Sequence, residues 1–60
     1  MKKVNLDLLD LDGNAFAILG AFRKQAIREK WTQGEIAEVL SEAKTGDYDH
    51  LLLTIMNHCV

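Results

Sequence analysis

Asp47, Tyr48, Asp49 and His50 follow one another as carboxylate, phenol, carboxylate and imidazole. A histidine beside carboxylates is the combination that moves protons near neutral pH, so this is the strongest catalytic candidate in the chain. The same string also reads as an ordinary helix start. Asp47 is a favoured N-cap type, and Asp49 would lie in the first turn, where the helix dipole favours negative charge. A chain of 60 residues has little wall with which to enclose a substrate. The reading adopted here is a capped helix whose Asp47, Tyr48, Asp49 and His50 form a candidate partner surface, with no catalytic residues.

Metal chemistry fares no better. His50 and His58 stand eight residues apart on one expected helix, which separates them by about 12 Å of rise. One tetrahedral ion cannot bridge that span. Cys59 falls on the apolar face of the same helix and reads as a small core hydrophobe. Asp10-Leu11-Asp12-Gly13-Asn14 resembles part of an EF-hand calcium loop. With Gly13 in the glycine position, however, Leu8 and Leu19 occupy two essential ligand positions. A turn into a helix capped by Asp12 or Asn14 explains the string better. No metal or other cofactor is expected.

Charge is unevenly distributed. Residues 23–30 hold Arg23, Lys24, Arg28 and Lys30 against Glu29, whereas residues 31–60 hold five carboxylates against Lys44. Clustered cations suit phosphate contacts, which makes Arg23, Lys24, Arg28 and Lys30 the candidate nucleic-acid contacts of an alternative reading. Cations near one helix end and anions near the next start also complement the helix dipoles, and the whole chain is acidic at a formal −2. Thr32-Gln33-Gly34-Glu35-Ile36-Ala37-Glu38-Val39-Leu40 resembles the first helix of helix-turn-helix repressors. Ser41 then stands where those repressors turn on glycine, and Gly46, Asp47 and Asp49 occupy the recognition-helix region. Two aspartates facing phosphates argue against docking in a major groove.

These side chains must be positioned by a small, single unit covering residues 1–60. Hydrophobic residues make up 48% and charged residues 27%, with no proline and four glycines, a globular composition. No apolar run reaches the roughly 18 residues of a membrane span. Asp7, Asp10 and Asp12 interrupt what would be the apolar stretch of a signal peptide after Lys2 and Lys3. A single cysteine excludes an internal disulfide framework and suits a reducing cytoplasm.

Val4, Leu6 and Leu8 alternate with polar neighbours, predicting a strand over about residues 2–9. A helix is predicted over about 14–30. Ala15, Ile18, Leu19, Phe22 and Ala26 share one face, and Phe16, Gly20, Ile27 and Trp31 form a second stripe, so this helix should be touched on two sides, with Gly20 admitting a close neighbour. Thr32 and Glu35 form a capping box, with Trp31 and Ile36 as its hydrophobic staple, and open a helix over about 33–44. Gly46 suits the left-handed end of that helix. A third helix follows over about 48–58, with Leu51, Leu52, Ile55, Met56 and Cys59 on its apolar face.

The lone strand has no partner strand in the sequence, and a chain this short is marginal on its own core. Both problems point to a homodimer in which the N-terminal strands pair between chains, with Val4, Leu6, Leu8 and Phe16 at the interface. The competing arrangements are an extended segment lying over its own helices and strand addition to a different protein's sheet. Asp12-Gly13-Asn14-Ala15-Phe16 and Gly46-Asp47-Tyr48-Asp49-His50-Leu51-Leu52, within a likeness spanning about residues 3–58, resemble a group of small bacterial and phage proteins of unknown function. The resemblance implies a strand–helix–helix–helix order and a phage or mobile-element origin, and that these two junctions could face one another. A host-directed binding role would fit that origin. The expectation is a mostly α, non-enzymatic interaction module that self-associates and can bind a partner protein.

Overall fold

The computed structural model describes residues 2–8 and 13–60. Leu9 at the end of the expected strand, and Asp10 and Asp12 of the calcium-like string, lie outside the described residues. Three helices follow one another: α1 Ala15–Arg28, α2 Gln33–Ala43 and α3 Tyr48–Asn57.

Each helix begins where a side-chain oxygen meets an orphan amide. Asn14 Oδ1 accepts from the Phe16 amide at 2.8 Å, and Asp47 Oδ1 accepts from the His50 amide at 2.9 Å. At α2 the exchange is reciprocal: Thr32 Oγ1 accepts from the Glu35 amide at 3.1 Å, and Glu35 Oε1 accepts from the Thr32 amide at 2.8 Å.

The helix ends differ from expectation. α1 stops at Arg28 rather than Lys30, because Lys30 is left-handed with φ 66°. The Trp31 amide reaches back to the Ala26 carbonyl and the Lys30 amide to the Ile27 carbonyl, both at 3.0 Å. That pair of bonds is a Schellman motif, with lysine in the place glycine usually takes. Gly46 is corrected in the opposite sense, since no described glycine has a positive φ. The Thr45 hydroxyl instead donates to the Glu42 carbonyl at 2.7 Å, satisfying a carbonyl at the end of α2. Gly46 is needed for space: a Cβ there would lie 2.8 Å from His50 Cβ.

The core gathers Ile18, Phe22 and Ala26 of α1, Ile36, Val39 and Ala43 of α2, and Leu51 and Ile55 of α3, closed by Val4 and Trp31. Trp31 and Ile36, the staple pair, are both buried. Phe22 meets the Trp31 ring edge-on at 5.5 Å, the favoured geometry for an aromatic pair.

The alternating segment at the start of the chain forms no ladder among the described residues. Val4 makes a single parallel bridge, with Cys59. Its amide donates to the His58 carbonyl at 2.7 Å, and its carbonyl accepts from the Val60 amide at 2.9 Å. The side chain of Val4 is fully buried, and Leu6 and Leu8 pack partly buried against the same core. Val4, expected at an interface between chains, has both its backbone and its side chain taken up by the chain's own C-terminal residues and core. The second stripe of α1 is also corrected. Phe16 is 84% and Ile27 50% exposed, and nothing stands within 4 Å of a Cβ built on Gly20. Only Trp31 of that stripe is buried.

Candidate functional site

The Asp47–His50 string sits where α2 hands over to α3, and most of it is engaged locally. Asp47 caps α3, and the Tyr48 hydroxyl donates to the Gly13 carbonyl ahead of α1. The two junctions, Gly13-Asn14-Ala15-Phe16 and Gly46-to-Leu52, thus lie side by side. Asp49 is exposed, and among the described residues it has no partner in its own chain.

His50 does not pair with the aspartates beside it. Its Nε2 lies 2.9 Å from Glu42 Oε2, 3.0 Å from the Glu42 carbonyl and 3.2 Å from Thr45 Oγ1. A carbonyl only accepts, so Nε2 carries the hydrogen. Thr45 Oγ1 also donates to Glu42 Oε2 at 3.0 Å, and the His50 bond, followed by this one, lowers the pKa of the Glu42 carboxyl from its ordinary value. Beneath the ring, the Thr54 hydroxyl donates to the His50 carbonyl at 2.8 Å.

A hydroxyl, an imidazole and a carboxylate thus meet, but in the wrong order for a relay. In a nucleophilic triad the carboxylate orients one ring nitrogen while the other faces the hydroxyl. Here carboxylate and hydroxyl share Nε2, and the threonine proton points at Glu42. The cluster is a clasp between α2 and α3. Sequence reading missed Glu42 and Thr45, which are brought to His50 only by the tight turn over Lys44–Asp47. Thr45 three residues after Glu42 was the available local signal.

A second cluster surrounds Trp31. Lys2 Nζ stands 5.1 Å over the indole and pairs with both Glu35 carboxylate oxygens, at 3.0 and 3.1 Å. His58 meets both Phe22 and Trp31 with ring centroids 6.4 Å apart. Its Nδ1 donates to the Lys2 carbonyl at 2.9 Å. The bonds from the Thr32 amide and Lys2 lower the pKa of Glu35. Glu29 is likewise lowered, by Gln25 Nε2 and by the Asn5 amide at 2.7 Å. These contacts fasten residues 2–5 across the three-helix unit. An open groove of about 810 Å³ passes between Lys2, Trp31, Glu35, Glu38 and Glu42.

Arg23, Lys24, Arg28 and Lys30 are all exposed, none in an ion pair among the described residues. Cys59 is half-buried against the core, and that burial pushes its thiol pKa up, away from the reactive thiolate. Among the described residues no three His, Cys, Asp or Glu side chains are placed to hold one metal ion, and no helix is long and apolar enough to cross a membrane. Comparison with protein-family models, curated proteins and solved structures finds no match to this chain.

Proposed function

We propose that the protein is a non-enzymatic interaction module that associates with itself. One observation carries the reading: large apolar side chains stand outward on helix faces turned away from the core. Phe16 on α1 is 84% exposed, and Leu53 and Met56 on α3 are 59% and 55% exposed. Single exposed apolar residues are ordinary, but runs of them along a helix face mark surfaces that another macromolecule covers. The titratable clusters around His50 and Trp31 are occupied in holding elements together, which leaves the outward faces as the available chemistry.

Self-association through paired N-terminal strands loses its physical argument, because the backbone groups of Val4 already have partners. Phe16 alone of the expected interface residues remains largely exposed. Sedimentation equilibrium of the intact chain tests the proposal. A mass above that of the monomer, rising with concentration through the micromolar range, is expected. A monomer throughout that range overturns it.

A second reading, nucleic-acid binding through Arg23, Lys24, Arg28 and Lys30, is favoured by the exposure of all four and by the absence of carboxylates from α1. Retention on DNA that falls steeply with salt would support it. Passage through the column at low salt would exclude it.

A further inference from the structure

The outward faces of α1 and α3 differ in a way that makes each a complement of the other. α1 carries Phe16, Gly20 and Arg23 along one exposed line and has no acidic residue. α3 carries Asp49, Leu53 and Met56 along its exposed line and has no lysine or arginine. At 3.6 residues per turn each set lies on one face of its helix.

Spacing matches as well as charge. Phe16 to Arg23 and Asp49 to Met56 are both steps of seven residues, about 10.5 Å along a helix. Set antiparallel, the two lines bring Arg23 against Asp49 at one end and Phe16 against Met56 at the other. Leu53 then falls over Gly20, where the surface has a hollow because nothing occupies the space of the missing side chain. The helix dipoles run favourably in this arrangement, with the C-terminal end of α1 beside the N-terminal end of α3. Neither Arg23 nor Asp49 has a partner within its own chain among the described residues.

We infer that the occupant of the α1 face is α3 of a second copy, docked antiparallel with Leu53 seated over Gly20 and Arg23 paired with Asp49. This rests on the self-association proposed above and names its surface. Made reciprocally about a two-fold axis the contact closes a dimer, and made head to tail it extends a chain.

The test is charge reversal followed by sedimentation equilibrium on the full chain, with circular dichroism melts to confirm folding. Arg23→Glu and Asp49→Lys should each weaken self-association by at least about tenfold. An equimolar mixture of the two variants, or both changes in one chain, should restore it. Gly20→Leu fills the hollow and should abolish association while leaving the melt intact or raised. Association unchanged in both single reversals overturns the proposed surface while self-association stands. Loss in both reversals without recovery in the combinations also overturns the pairing. A wild-type chain that remains monomeric overturns this inference together with the reading beneath it.

Discussion

The amide of Val4 donates to the carbonyl of His58 at 2.7 Å, joining residues from opposite ends of the chain. Beside that bond the Val4 side chain is fully buried among the three helices. Val4→Ala removes two buried methyl groups and should lower stability by about 2 kcal/mol. Val4→Asp should be worse, since it places a charge where none can be solvated. Urea unfolding measures both, and a neutral Val4→Ala would show that the segment is not docked in solution.

Tyr48 and Gly13 offer a cleaner deletion. Tyr48→Phe keeps the ring and removes only the hydroxyl that reaches the Gly13 carbonyl. A loss of about 0.5–1.5 kcal/mol in thermal or urea unfolding is expected. Faster amide exchange in the first turn of α1 should accompany it, because the junction ahead of that helix loses its tie.

Two backbone positions predict effects of opposite sign. Lys30→Gly relieves a left-handed residue that carries a side chain, and should stabilise the protein by about 1 kcal/mol. Gly46→Ala drives a methyl group into the His50 ring and should destabilise by about 1–3 kcal/mol. Adding His50→Gly to Gly46→Ala removes the clash, because the nearest atom is His50 Cβ itself, which an alanine would keep. A double-mutant cycle should therefore show strong coupling, and strict additivity would refute the crowding.

Glu29, Glu35 and Glu42 each have a pKa held below the ordinary carboxylate value by the bonds described above. A carboxyl depressed in the folded state binds protons more readily when unfolded. Its contribution is complete above the unfolded value and disappears as pH falls through the folded one. Stability should therefore decline on the acid side, below the ordinary carboxylate range. Glu35→Gln and Glu42→Gln should each flatten that decline. Added salt should weaken the Lys2–Glu35 share, as both groups are exposed. Melts repeated across pH and salt give both comparisons.

The capping box makes a fifth test, independent of pH near neutrality. Thr32→Ala should cost about 0.5–2 kcal/mol, while Trp31→Ala, which empties a core position beside Phe22, should cost about 3–5 kcal/mol. Equal effects from the two changes would mean that Trp31 is held no better than a surface residue.

Much of the fold was legible because the signals were local. Thr32 and Glu35 satisfy one another across three residues, and Asn14 and Asp47 need only the first turn that follows them. What escaped depends on contacts distant in sequence or on which surface is left uncovered. Periodicity shows that Phe16 and Ile27 form an apolar stripe, but it cannot say that no neighbour covers it. Alternation around Val4 suggests a strand, yet its partner is a short stretch after α3 with no strand pattern of its own. His50 reads beside Asp49 in sequence, whereas the turn after α2 turns its ring toward Glu42. The exposed faces that carry the functional proposal are therefore visible only once the core is known.

The bridge from Val4 to Cys59 also has a kinetic consequence. Closing it brings together residues separated by nearly the whole chain, after α1, α2 and α3 have formed from contacts much nearer in sequence. Loop entropy grows only slowly with length, so this closure is affordable once the helices have shortened the distance. It should nonetheless be among the later steps, and the first to reopen under native conditions. The segment then behaves as a latch whose release uncovers Trp31, through loss of Lys2 above it, while the helices stay folded. An indole emission change preceding the loss of helical signal would make that opening visible as a separate event.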